Sequence, residues 1–306
     1  MPQIGLTLDR TTHLLPAGKL ADLALKIERL GFESVWLLDS FGRDPYMTCA
    51  YILSKTSTLN VATGVATAYS RDAMGAQQTR EALSEFYPGR FIMGIGASNP
   101  IVAAKRKGEW VPPLPKMTAY LDDMAEAQLI NPKPDQMAPV VLAAHAPGLQ
   151  KLALKQAQGM VTWMMPAPVI AEARERVGAD FEITAQILCV LSTSADTARA
   201  VARTYLAMYL ALPYYQTAFE RSGFEEADWI DGGSDRLIDA LTFWGDNTEI
   251  LTRIEEFGSA GADRVVLNVV TEDEEQRTDG KPPVVVGDWE GLDGLSAILS
   301  SKPGAV

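Results

Sequence analysis

Pro88-Gly89-Arg90-Phe91-Ile92-Met93-Gly94-Ile95-Gly96-Ala97-Ser98-Asn99 is the stretch on which the reading of this chain turns. A Pro-Gly turn closes a helix, an apolar strand follows, and the strand runs out into small residues that leave main chain bare. Bare main chain at a strand end serves the close approach of another backbone, or of a phosphate to free N–H groups. Outward from this segment, strand-like and helix-like stretches alternate along the sequence. A short apolar run at 4–8 precedes Leu20, Leu23, Ala24, Ile27 and Leu30, which repeat at helical spacing until Gly31 caps them. The pattern then predicts strands over 34–39, 60–67, 91–96, 140–144, 160–164, 181–191 and 264–270. Between them it predicts helices over 47–55, 73–86, 117–130, 149–158 and 169–177.

Beyond the seventh strand the pattern stretches. A helical tract over 197–221, broken by Pro213, carries Tyr205, Met208, Tyr209 and Leu212 on one face. A second run covers 235–243, and Asp246 or Asn247 can N-cap a helix over 248–257. A last short helix is expected over 292–299. The acidic stretch from Glu272 through Asp279 reads as a solvated loop, and 302–306 as a loose tail. Roughly eight strands separated by helices, with few hairpin signals, predict an α/β (β/α)8 TIM barrel, although a doubly wound sheet gives the same early alternation. On this reading residues 1–306 form a single domain with a helical insertion between strands seven and eight.

Composition bounds the function. Hydrophobic residues make up 47% and charged residues 22% of the 306, a globular balance with ample core. A net charge of −12 argues against a broad nucleic-acid or anionic-membrane surface. Cys49 and Cys189 stand far apart in no ligand spacing and read as buried thiols in a reducing compartment. Two histidines cannot build a His-rich metal centre, so no metal is expected. The N-terminus lacks the pattern of a signal peptide, and no apolar run is long enough to span a bilayer, so a cytoplasmic protein is expected.

Several segments, in order, resemble the bacterial luciferase-like family. They are Leu30-Gly31-Phe32-Glu33-Ser34-Val35-Trp36, Thr63-Gly64-Val65-Ala66-Thr67, Thr79-Arg80-Glu81-Ala82-Leu83 with Pro88-Gly89-Arg90-Phe91, Ala143-Ala144-His145-Ala146-Pro147, and Ala260-Gly261-Ala262-Asp263-Arg264-Val265. Among subgroups the chain looks most like the actinobacterial F420-dependent oxidoreductases, through Asn99-Pro100, Trp110-Val111-Pro112-Pro113 and Lys116–Leu121. The resemblance implies a luciferase-like TIM barrel, a flavin or deazaflavin cofactor and a homodimer. The chain departs from F420 sugar-phosphate dehydrogenases at Ser40, where those carry a histidine, and at Asn99, where they carry a glutamate. Sugar-phosphate chemistry is therefore not expected.

Candidate site residues follow from the rule that a TIM barrel works at the C-terminal ends of its strands. Asp39 could bond the cofactor ring or orient a proton path; its alternative is a cap or a loop salt bridge. The resemblance implies that Thr63, Gly64 and Val65 back the cofactor ring, the Gly64–Val65 peptide often being cis in the family. The ordinary alternative is a strand whose glycine makes room for a neighbour. Ala97, Ser98 and Asn99 offer backbone and hydroxyl groups to a phosphate or ribityl chain. The adjacent Lys105-Arg106-Lys107 cluster either faces an anionic oligoglutamyl tail or is a solvated run of charge. The resemblance places Ala144, His145 and Ala146 at a strand end that contacts the cofactor. His13, on the same face, is a proton-transfer candidate with Asp39 and Asn99, though lone histidines are more often packing residues. Trp163, Met164 and Gln186 could line a substrate pocket.

The expected function is an F420-dependent oxidoreductase that moves a hydride between the deazaflavin C5 and a small organic substrate. The alternatives are an FMN-dependent monooxygenase using reduced flavin and oxygen, and a non-catalytic flavin- or deazaflavin-binding protein.

Overall fold

Strand β1 (Gln3–Leu8) pairs in parallel with β2 (Ser34–Leu37) on one side and β10 (Arg264–Glu272) on the other. From β2 the sheet continues through β3 (Asn60–Thr63), β5 (Phe91–Gly96), β6 (Val140–Ala143), β7 (Gly159–Trp163) and β8 (Glu182–Val190). Parallel pairing of β8 with β10, from Arg264 opposite Thr184 to Val269 opposite Cys189, closes the ring. This closure distinguishes a barrel from a doubly wound sheet, and the fold is the expected (β/α)8 TIM barrel. The computed structural model describes residues 1–273, 284–295 and 299. The loop expected through Asp279 and the tail at 302–306 lie wholly or largely outside the described residues.

Local chemistry sets the outer helices. Helix α1 (Ala17–Leu30) buries Leu20, Leu23, Ala24 and Ile27 and ends at Gly31, whose φ of 87° is the left-handed conformation that glycine adopts without steric cost. Helices α2 (Pro45–Lys55) and α3 (Ala73–Phe86) begin on Asp44 and Asp72, whose carboxylates accept first-turn N–H groups. Helices α4 (Pro100–Lys105), α5 (Pro113–Glu126), α6 (Pro147–Gln156) and α7 (Ala167–Val177) complete the outer layer up to β8.

The insertion before β10 holds α8 (Ala195–Leu210), α9 (Pro213–Arg221), α10 (Glu226–Trp229) and α11 (Asp235–Leu241). It ends in a short strand β9 (Thr242–Trp244) and α12 (Asn247–Ser259). Asp246, not Asn247, caps α12, in a reciprocal box with Glu249. Three other expectations are corrected. The run 235–243 ends as strand β9, which pairs in parallel with β8. The strand expected over 60–67 breaks after Thr63 and resumes as β4 (Ala66–Thr67). Of the last helix, expected over 292–299, the stretch up to Leu295 is a 3-10 turn over Gly291–Leu295, and 296–298 lie outside the described residues. The face proposed for 197–221 also shifts: Ala198, Val201, Ala202, Leu206 and Leu210 are buried, and Met208 is exposed.

Trp36, Ala62, Ile92, Val141, Val161 and Val266 fill the middle of the barrel. Below them, at the end where the strands begin, Arg264 is 5% exposed and lies under the Trp36 ring. It donates to Glu33 at 2.9 Å and to Gln3 at 2.9 Å, and it pairs with Glu182. That end of the bore is closed by a cluster of paired charges. Function is left to the opposite rim.

Candidate active site

At the rim the main chain of β3 turns sharply. The Gly64–Val65 peptide is cis, and the Gly64 N–H donates to the Leu37 carbonyl at 2.7 Å. The Thr63 hydroxyl donates to the Gly94 carbonyl at 2.6 Å, which ties this bulge to β5. A Cβ on Gly94 would land on the Thr63 carbonyl oxygen, and one on Gly96 would press Val65 at 2.9 Å and Ala143 at 3.0 Å. The glycines of the opening segment therefore serve backbone approach: they seat the Thr63–Val65 bulge. After β5, Ala97 is buried and Ser98 is exposed with φ 60°, a conformation that side-chain-bearing residues adopt mostly at sites under local constraint. Asn99 caps α4, its side-chain oxygen accepting the Val102 N–H at 3.1 Å.

Asp39 lies two residues beyond β2, with its side chain 1% exposed. One carboxylate oxygen accepts the Thr67 N–H at 3.0 Å and the other pairs with Arg106 at 2.8 Å. Arg106 also donates to the Ser40 carbonyl at 3.3 Å, and Lys105 sits 4.5 Å over the Phe41 ring. The basic cluster is thus partly committed to latching the loop after β2, and its central residue is not a free cation.

His13 also belongs to this loop system. Its Nδ1 accepts the Arg43 N–H at 3.1 Å, so in the neutral ring the proton rests on Nε2, which faces the Ser40 hydroxyl at 2.7 Å. Burial, then the Arg43 charge, hold its pKa below the ordinary histidine value. His13 therefore bonds the serine that follows Asp39.

His145 follows β6. Its Nε2 accepts the Trp163 N–H at 3.0 Å, and its ring stacks on Tyr214 and meets Tyr215 edge-on. Burial, helped by Arg221, pushes its pKa down to about 4, so at neutral pH it is an uncharged acceptor. Arg221 donates to the His145 carbonyl at 3.2 Å. Ala144 is buried and its N–H is taken by Val161. Ala146 is exposed and caps α6 with no side-chain bond, which leaves first-turn N–H groups of that helix open.

Asp9, Thr7 and Asn268 at the rim escaped sequence reasoning, whereas Gln186 was expected to line a pocket. Asp9 ends β1, buried, with one oxygen bonded to the Thr11 N–H at 2.9 Å and to the Thr11 hydroxyl, and the second bonded to no described side chain or backbone group. Burial raises its pKa against those bonds. Position was the available signal, since Asp9 follows a barrel strand as directly as Asp39 does. Thr7, Gln186 and Asn268 are at most 1% exposed, and their hydroxyl or amide atoms meet no partner at hydrogen-bonding geometry. A cavity of about 870 Å³ lies on the far face, among Met1–Gln3, Ala179–Glu182 and Glu255. It is remote from these groups, and two of its carboxylates, Asp263 and Glu182, are paired with arginines. Among the described residues no three side chains group as a metal site.

Comparison with known proteins agrees with this geometry. A family model described as luciferase-like monooxygenase matches residues 4–130 and 125–264. A 5,10-methylenetetrahydromethanopterin reductase of Methanolobus tindarius is 22% identical over 82% of this chain and 90% of its own. An F420-dependent glucose-6-phosphate dehydrogenase of Kineococcus radiotolerans is 25% identical over 84% of this chain and 88% of its own. Among solved structures, an F420-dependent secondary alcohol dehydrogenase in complex with an F420–acetone adduct superposes with a TM-score of 0.70. It is 18% identical, over 88% of this chain and 94% of that one. An EDTA monooxygenase from Chelativorans sp. BNC1 superposes with a TM-score of 0.71 at 14% identity, over 98% and 93%. With the barrel, the β3 bulge and a model match over most of its length, the chain belongs to the luciferase-like monooxygenase family.

Proposed function

We propose that this protein is an F420-dependent oxidoreductase that moves a hydride between the deazaflavin C5 and a small organic substrate, in the cytoplasm and as a homodimer. The observation that carries the reading is the Thr63–Val65 bulge at the strand ends, seated against Gly94 and Gly96, with Val65 partly exposed at the rim. Such a surface fits the flat face of a tricyclic ring. Gly64, Val65, Ala97 and Ser98 would hold that ring and its side chain. The open first turn of α6 after Ala146, with Arg221 near it, suits the phosphate. The names of the F420-dependent glucose-6-phosphate dehydrogenase and of the F420-dependent alcohol dehydrogenase point the same way, and that of the reductase supports an oxidoreductase.

Bound F420 supplies hydride chemistry at C5; the chain's residues do the rest. Asp39, paired with Arg106, fixes the loop after β2. His13 holds Ser40 in place, and Asn99 starts α4. In this arrangement Asp39, His13 and Asn99 are each bonded to neighbouring groups, and Asp9 is the carboxyl best placed to hold a proton for the substrate. The monooxygenase among the similar structures favours a second reading, in which reduced FMN and oxygen replace F420. Titration of the purified protein with F420 and with FMN, followed by absorbance, separates the two. Saturable F420 binding supports the proposal, and tight FMN binding with undetectable F420 binding overturns it.

A further inference from the structure

The unpaired amides lie in a defined part of the bore. In the closed ring β8 stands opposite β3, with β10, β1 and β2 on one side and β5, β6 and β7 on the other. Gln186 on β8 nevertheless reaches Gly64: its Nε2 stands 2.6 Å from where a Cβ on that residue would be. Its side chain therefore crosses the axis of the barrel and puts an amide with neither atom bonded beneath the mouth. Leu6 pairs with Leu267, so the next residues, Thr7 and Asn268, are neighbours on the adjoining strands. A buried amide or hydroxyl without a partner is costly and rare in a native core, and three within one bore call for a bound polar group.

Aromatic rings stand over them. Trp163, the register partner of Gln186, meets Tyr209, which stacks on Tyr205 at 6.3 Å. The Tyr205 hydroxyl lies beside the Asn268 amide. The charges that act on Tyr205 are the Asp9 carboxyl and the exposed Arg10, and among the described residues no cation is buried beside the unpaired groups. An anion here would meet Asp9 with no buried counter-charge.

We infer that the mouth of the bore above Thr7, Gln186 and Asn268 binds an uncharged, flat carbonyl compound, with its oxygen on the Gln186 and Asn268 amides and its ring against Trp163, Tyr205 and Tyr209. This deepens the oxidoreductase reading and rests on it for the reaction, since a carbonyl carbon is a hydride acceptor. The binding chemistry stands on the unpaired groups alone.

The test uses 1-indanone, its ring-carboxylated analogue and indane, which lacks the oxygen. Binding to the full-length protein is measured by equilibrium dialysis with and without F420. Indanone is expected to bind at least about tenfold more tightly than either analogue, because a site built to bond an oxygen rejects a ligand that leaves its polar groups unpaired. Asn268→Leu and Gln186→Leu are each expected to erase that preference while melting at or above the parent temperature, since each replaces an unsatisfied amide with an apolar side chain of similar size. Preference for the carboxylate, equal binding of indane, or a clear drop in melting temperature in both variants overturns the inference. The last result would mean that the amides are paired inside the fold. Failure of F420 to bind would overturn the cofactor reading, and dialysis without F420 still decides this one.

Discussion

Replacing His145 with glutamine isolates one proton-binding site. Glutamine Oε1 can accept the Trp163 N–H as the imidazole Nε2 does, but it does not titrate. In the folded protein His145 has a pKa of about 4, against an ordinary 6.5 when unfolded. The depressed value means that the native state holds the neutral ring and the unfolded state takes the proton first. The stabilisation is full above pH 6.5 and drains as pH falls toward 4. Taking those two values, the parent should lose about 2 kcal/mol relative to His145→Gln between pH 7 and pH 5. Urea unfolding of both proteins at the two pH values measures it. The chain has two histidines, so an NMR titration also resolves two ring signals in the parent and assigns the one that vanishes in the variant. Parallel stabilities from pH 7 to 5, or a His145 signal that titrates near 6.5, would refute the burial argument.

Other residues give shorter tests. Gly94→Ala drives a methyl into the Thr63 carbonyl and should cost at least about 3 kcal/mol in unfolding experiments, whereas Gly18→Ala, with nothing within 4 Å, should be neutral or slightly stabilising. Arg106→Ala leaves the Asp39 carboxylate buried with the Thr67 N–H as its remaining partner and should cost about 2 kcal/mol; combining it with Asp39→Asn should recover much of that loss, and strict additivity would deny the coupling. Asp9→Asn keeps the acceptor for Thr11 but removes the exchangeable proton, so turnover with a ketone should fall about a hundredfold with F420 affinity unchanged. Unaltered turnover would move the proton donor elsewhere.

Much of the barrel is legible in the chain because its helices and strands obey local rules. The 20–30 periodicity, the Gly31 stop and the aspartates before α2 and α3 each act within a few residues. What local spacing could not carry was the closing contact, since β8 and β10 pair across some eighty positions. The helical run expected over 235–243 takes in Thr242 and Phe243 because Leu237, Ile238 and Leu241 keep the helical period up to them; pairing with β8 overrides that trend. At the rim, the bare glycines announced a close approach, but not that the approaching atom is the Thr63 carbonyl. His13 and Ser40 are 27 residues apart, and nothing in either neighbourhood announces their bond. The isolation of Gln186 is a property of its surroundings, so a glutamine in an apolar strand looks the same whether its amide is satisfied or not.

The charge cluster of Arg264, Glu33 and Glu182 has a kinetic consequence. With the lower end stoppered by ionic groups, traffic through the bore is confined to one doorway. Whatever sits deepest must arrive first and depart last, so initial-velocity patterns should show compulsory order rather than random entry. A spent product held at that doorway also blocks its own replacement, which makes product inhibition a direct report on which of two guests occupies the inner seat.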